Sequence, residues 1–139
     1  MIIDRARGNF TAQELGCHHC GTIRVEESFL DALEDIRELT MPLPLISCCR
    51  CQKHNRETVK GHEHSLHLID NPKHLVCTIA ADVNVHDWEG YEKMEFYKAA
   101  HSLGLSMGLK NNTIHVDKRE LAGLPQVTFF YGYNPEWFA

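Results

Sequence analysis

Two short stretches of alternating residues, well separated in the chain, constrain its fold more than any other feature. Ile79 to Val85 sets Ile79, Ala81, Val83 and Val85 on one face and Ala80, Asp82 and Asn84 on the other. Thr113 to Asp117 opposes Ile114 and Val116 to Thr113, His115 and Asp117. If the two are neighbouring strands, small Ala80 leaves room beside Asp82 for a bulky cation. Upstream, Ser65-Leu66-His67 adds a second imidazole. Two imidazoles and one carboxylate are three ligands of the kind zinc accepts, with a fourth position open for water, as in a catalytic site. Two half-buried strands with polar residues facing water explain the same pattern, so spacing alone leaves both readings open.

Size and charge narrow the alternatives. A chain of 139 residues is expected to form one domain, 1–139, with a real core and no need of staples. A formal charge of −5 gives no basic face for nucleic acid. No segment is long and apolar enough to span a bilayer. The start, Met1-Ile2-Ile3-Asp4-Arg5, lacks the apolar run of a signal peptide, so cytoplasmic synthesis is expected. Ten histidines and six cysteines are the unusual entries in the composition. Without a secretory signal, free thiols or metal ligands are expected in place of a disulfide framework.

Read in order, Thr11 and Glu14 have the form of a capping box for a short helical turn. Cys17-x-x-Cys20 is half of a possible zinc knuckle, with Cys49 or Cys51 as later partners; buried unpaired thiols fit equally well. Glu26 to Leu39 is the clearest helix, with Phe29, Leu33, Ile36 and flanking Leu30 as its apolar stripe. Pro42 and Pro44 end it and lead into a strand, Leu45-Ile46-Ser47. Cys51 to Val59 reads as a short polar helix closed by Gly61. Asp87 is the expected N-cap of a helix from Trp88 to Leu103, stopped by Gly104. Val127 to Tyr131 reads as a final strand, and the aromatic tail from Tyr133 to Phe138 is expected to pack back on the body. Helices interleaved with short strands predict an α+β fold, a small and mainly antiparallel sheet with flanking helices.

Several of these pieces coincide in order: Phe10…Glu14-Leu15…Cys17-x-x-Cys20-Gly21, then Phe29-Leu30-Asp31-x-Leu33-x-x-Ile36-Arg37, then Pro44 to Cys51 followed by His54-Asn55. Gly61-x-x-x-Ser65-x-His67, Ala80-Ala81-Asp82 and Ile114-His115-Val116-Asp117-x-Arg119 follow. Together they resemble the M15 family of zinc peptidases acting on peptidoglycan, in particular its short D-alanyl-D-alanine carboxypeptidase-like members from phages and prophages. The resemblance implies the hedgehog-like zinc peptidase fold, with His67, Asp82 and His115 as Zn2+ ligands. It places Arg50 at the cleft against a substrate carboxylate or polarised carbonyl, a task suited to the fixed fork of a guanidinium. Ser65 lies beside the substrate or, with Asn55, braces the ligand loop.

The sequence also departs from the family pattern. The interval from His67 to Asp82 is longer than usual, with Asp70 to Cys77 inserted, which makes His74 a rival first ligand. Ser65 and Gly61, correctly placed before it, favour His67. Cys48-Cys49 replaces the usual Gly-Tyr ahead of Arg50, as extra soft ligands, oxidation-prone thiols or small buried residues. The slot that is often a general-base carboxylate is Asn112. Asp117 is the best remaining acid, either handling protons or orienting His115; Glu63 and Asp87 are remoter. What the resemblance implies is hydrolysis of peptidoglycan stem peptides. D-Ala-D-Ala carboxypeptidase comes first, L-alanyl-D-glutamate endopeptidase (endolysin) second, and a zinc-containing wall-binding module without activity is the rival. A nucleic-acid module built on Cys17-x-x-Cys20 is disfavoured by the acidic charge. The missing signal suits a phage-type lysis protein released to the wall, and the oligomeric state is left open.

Overall fold

In chain order the elements are β1 (Ile2–Ile3), α1 (Ala12–Leu15), β2 (Val25–Glu26), α2 (Glu27–Leu39), β3 (Leu45–Ser47), β4 (Ala80–Asn84), α3 (Gly90–Ser102), β5 (Ser106–Leu109), β6 (Thr113–Asp117) and β7 (Thr128–Phe130). They come from a computed structural model that describes residues 1–130. Tyr131, at the end of the expected last strand, and the aromatic tail lie outside the described residues.

The helices begin where side chains can satisfy their first backbone donors. Thr11 Oγ1 accepts from the Glu14 amide at 3.1 Å and Glu14 Oε1 accepts from the Thr11 amide at 3.1 Å, a reciprocal capping box. The second oxygen of Glu14 accepts from the Leu45 amide at 2.9 Å, so the same carboxylate pins α1 to β3. Glu26 caps α2 by accepting from the Phe29 amide at 3.0 Å, and Phe29, Leu30, Leu33 and Ile36 turn inward as the stripe requires.

Two expected helices differ from the observed ones. Asp87 is not a cap: the chain first closes a turn from Val85 to Trp88, packing Trp88 edge-on against Phe96 at 5.8 Å, and Glu89 then starts α3 by a capping box with Glu92. The segment expected as a polar helix over Cys51–Val59 is a π-helical turn, His54–Val59. It ends at Lys60 in the left-handed region (φ 55°), with the Lys60 and Gly61 amides both donating to the Asn55 carbonyl.

Five strands form one sheet in the order β3-β4-β6-β5-β7, antiparallel throughout except for the parallel pair β5–β7. A second, two-stranded sheet pairs β1 with β2. The result is a single α+β domain. One face of the large sheet offers Ala81, Val83, Met107, Leu109, Ile114 and Val116 to a buried cluster shared with Phe29, Leu33 and Ile36 of α2 and Phe96 and Ala100 of α3. By the two-residue period of a strand, Ala80, Asp82, His115 and Asp117 then occupy the other face. Strand β5 carries no turn or alternation signal strong enough to mark it in the sequence, yet it is buried along its whole length.

Because Glu14 serves both the cap and the edge of the sheet, its loss is expected to cost more than the loss of Thr11. Thr11→Ala should cost about 1 kcal/mol, and Glu14→Ala about 1–3 kcal/mol by also stranding the Leu45 amide. Urea unfolding of the two variants checks this; equal losses would show that the Glu14–Leu45 contact contributes nothing.

Candidate metal centre

Antiparallel pairing of β4 with β6 sets Asp82 directly opposite His115, and β3 places Ser47 on the other side of Asp82. Gly108 of β5 pairs with His115 and adds no side chain to crowd it. A cross-strand pair brings its β-carbons to about 5 Å, close enough for both side chains to meet on one ion. His115 Nδ1 lies 3.2 Å from Asp82 Oδ1.

His67 arrives from the loop between β3 and β4, held at several points. Its carbonyl accepts from the Arg50 amide at 2.9 Å and from Thr78 Oγ1 at 2.8 Å, and its own amide donates to Ser65 Oγ at 3.3 Å. The ring is fixed as firmly: Nδ1 lies 2.7 Å from the Cys48 carbonyl oxygen. A carbonyl only accepts, so Nδ1 carries the proton and Nε2 presents a lone pair. That Nε2 is buried without a hydrogen-bond partner, 3.3 Å from Asp82 Oδ1. An unsatisfied buried polar atom is costly, and a metal ion is a partner that would satisfy this one.

The geometry fits zinc. Ligands about 2.0–2.1 Å from zinc at tetrahedral angles lie about 3.3 Å apart, and Asp82 Oδ1 stands 3.3 Å from one imidazole and 3.2 Å from the other. The donor atoms of His67, Asp82 and His115 all lie within 4.8 Å of one another. His115 turns its other nitrogen to Asp117, with Nε2 to Oδ2 at 2.8 Å, and Asp117 is fully buried. Asp117 Oδ1 also accepts from the Arg119 amide at 3.0 Å and from Nε at 2.9 Å, while Oδ2 takes Arg119 Nη2 at 2.7 Å. Arg119 thus holds the carboxylate that meets the imidazole, an arrangement that fixes a histidine's tautomer.

Charge is distributed accordingly. Burial alone would raise the Asp82 pKa, but the hydrogen bond from His115 and its positive charge hold it well below the usual carboxylate range. Burial keeps His67 neutral by lowering its pKa. For His115 burial acts in the same sense, yet Asp117 and Asp82 overcome it and push the metal-free imidazole up to about 9. Arg50 is buried, its pKa lowered by desolvation though partly restored by Asp82. It donates to Ser47 Oγ at 3.3 Å, Asn55 Oδ1 at 3.3 Å and Asp82 Oδ2 at 3.2 Å. A β-carbon on Gly61 would collide with the Asn55 carboxamide oxygen and approach Arg50 Nη1 to 3.3 Å, so this position needs glycine for space.

Other residues singled out in the sequence fall elsewhere. His74 is not in the donor cluster; it lines the adjoining groove, its ring 6.5 Å from that of His64. The Cys48 and Cys49 side chains are buried in the apolar core, and Cys48 reaches the site only through its carbonyl. Asn112 sits in the β5–β6 turn with Oδ1 3.2 Å from His86 Nδ1. Glu63 and Asp87 are exposed. The inserted segment contributes a residue that pattern reading passed over: buried Asn71 donates to the His64 and Ser65 carbonyls at 2.8 and 2.9 Å and accepts from the Lys73 and His74 amides. Asn71-Pro72 is a turn signal that could have marked it.

The peptidase M15 family model matches residues 7–117, a span that includes Arg50, all three donors and Asp117. The chain belongs to the peptidase M15 family. No curated protein and no solved structure significantly matches it. Among the described residues, no helix of this M15 chain is long and apolar enough to cross a membrane.

If His115 is a zinc ligand, zinc and a proton compete for its imidazole. In the metal-free protein the imidazolium stabilises the fold fully below its ordinary pKa, and that contribution fades as pH rises through about 9. Zinc bound there would have to displace that proton, whereas His67 and Asp82 would lose none. The zinc population abolished by His115→Ala should therefore bind the unaltered protein about tenfold more tightly per pH unit between about pH 6.5 and 8.5. Chelator competition measures this; an affinity flat across that range would contradict the assignment.

Proposed function

We propose that this M15 chain is a zinc-dependent peptidase acting on peptidoglycan stem peptides, foremost as a D-Ala-D-Ala carboxypeptidase. The observation that carries the reading is the buried, unpartnered Nε2 of His67 facing Asp82 and His115. His67, Asp82 and His115 would hold a zinc ion, which would supply Lewis acidity toward a peptide carbonyl and a water.

The chain's own residues bind and orient the peptide. A hollow of about 340 Å³ over the donors is lined by Arg50, Lys60 and Lys110. Such a concentration of positive charge, in a chain of net charge −5, suits the terminal carboxylate of a stem peptide. A guanidinium has five N–H donors; three bonds go to Ser47, Asn55 and Asp82, which leaves donors for a substrate oxygen. Arg50 thus positions Asp82 and meets the substrate together. Ser65 lines the same hollow and tightens the His67 loop. Asp117 holds the His115 imidazole, and the imidazoles of His62, His64 and His74 line the adjoining groove.

The endopeptidase reading has its own support. His115 also lines a groove of about 540 Å³ that runs past His62, His64, Lys73 and His74, room for peptide on both sides of a scissile bond. On either reading the protein meets its substrate outside the cytoplasm, after release of the phage-lysis type.

Zinc-loaded protein incubated with defined muropeptides, with a chelator control and mass-spectrometric detection, separates the possibilities. Chelator-sensitive loss of the terminal alanine is expected, with Arg50→Ala lowering kcat/KM about 100-fold while zinc is retained. A cut inside the stem would establish the endopeptidase. Zinc bound with no cleavage would point to a wall-binding module instead.

A further inference from the structure

A second set of metal-binding side chains lies outside the centre just described and plays no part in it. Just after α1, the chain folds back in a tight loop: the Gly21 amide donates to the Cys17 carbonyl at 2.7 Å and the Cys17 amide to the Thr22 carbonyl at 3.0 Å. Gly21 adopts a left-handed conformation (φ 76°) that a side chain would strain. This loop presents Cys17 and Cys20 on one side. From the chain beyond Arg50, Cys51 comes to meet them, and the Sγ atoms of Cys17, Cys20 and Cys51 all lie within 4.8 Å of one another.

Backbone donors face two of the three sulfurs. The Cys51 amide points at Cys17 Sγ at 3.3 Å, and the His54 amide points at Cys51 Sγ at 3.3 Å. His19 Nδ1 is 3.5 Å from Cys51 Sγ. His19 stands outside the cluster of three sulfurs, and its exposed side chain has to turn to close a fourth position. Three cysteines allow only one disulfide and leave an odd thiol, whereas three thiolates and an imidazole close a tetrahedral site.

We propose that Cys17, Cys20 and Cys51, with His19 as fourth ligand after a rotation of its exposed side chain, hold a structural zinc ion separate from the His67–Asp82–His115 centre. With four protein ligands the site has no open position for substrate. Its effect is to clip the turn after α1 to the chain that follows Arg50, reinforcing the 3.1 Å bond from the Cys49 amide to the Leu15 carbonyl. The site stands on its own sulfur geometry and does not depend on the peptidase reading.

Cobalt(II) titration tests this directly, because thiolate ligands give an intense near-ultraviolet charge-transfer band that imidazole and carboxylate do not. The full chain and His115→Ala should both show the band, with His115→Ala taking up one cobalt per chain. Cys20→Ser, which alters an exposed residue, should keep its circular dichroism and lose the band or weaken cobalt binding at least about tenfold. His19→Ala should keep thiolate character but bind about tenfold more weakly. No thiolate band in His115→Ala, an unchanged band and affinity in Cys20→Ser, or a disulfide among these cysteines in protein purified under reductant would overturn the site. Unchanged affinity in His19→Ala would remove His19 from it.

Discussion

The pairing of β4 with β6 in one register is the constraint on which the rest of this molecule depends. Asp82 faces His115 because the apolar residues on either side of each, Ala81 and Val83, Ile114 and Val116, are committed to the core. A slip of one residue would turn every side chain of the strand over, sending the carboxylate into the core and valines to the site. Burial of the apolar face therefore specifies the metal face without any contact to the metal. The three candidate donors lie on paired strands and a clamped loop, so their separation is fixed by the fold itself, as preorganised sites require.

Around that pair the site is a chain of mutual obligations centred on Asp82. One oxygen faces both imidazoles; the other takes Arg50, whose remaining bonds run to Ser47 on β3 and Asn55 on the π-helical turn. Gly61 is bare because Asn55 and Arg50 fill the space its side chain would need. Asp117, neutralised by Arg119, fixes the far nitrogen of His115. Buried charges are tolerable only when paired in this way, and here each pairing also aims a ligand.

Much of this could be read from the sequence because it rests on local periodicity. The two alternating strands, the stripe of α2 and the Thr11–Glu14 capping box are all local signals, and each gave its element to within a residue or two. The choice of His67 over His74 rested on Ser65 and Gly61, and the structure shows why those positions matter: Ser65 accepts from the His67 amide and Gly61 makes room for Arg50. What escaped reading depends on contacts distant in sequence. Strand β5 is recruited by its neighbours on both sides, one of them parallel. The start of α3 moved from Asp87 to Glu89 because packing of Trp88 on Phe96 favours a turn first. The longer His67–Asp82 interval is absorbed by Asn71, whose side chain bonds four backbone groups at once.

The central claim is that His67 Nε2, Asp82 and His115 Nδ1 share one zinc ion. Crystals of zinc-loaded protein, with data collected on both sides of the zinc absorption edge, test it most directly. The expected result is an anomalous difference peak among these three side chains, about 2.0–2.2 Å from each donor atom. A fully loaded protein with no peak there, or with the ion bound through His74 in place of His67, would contradict it.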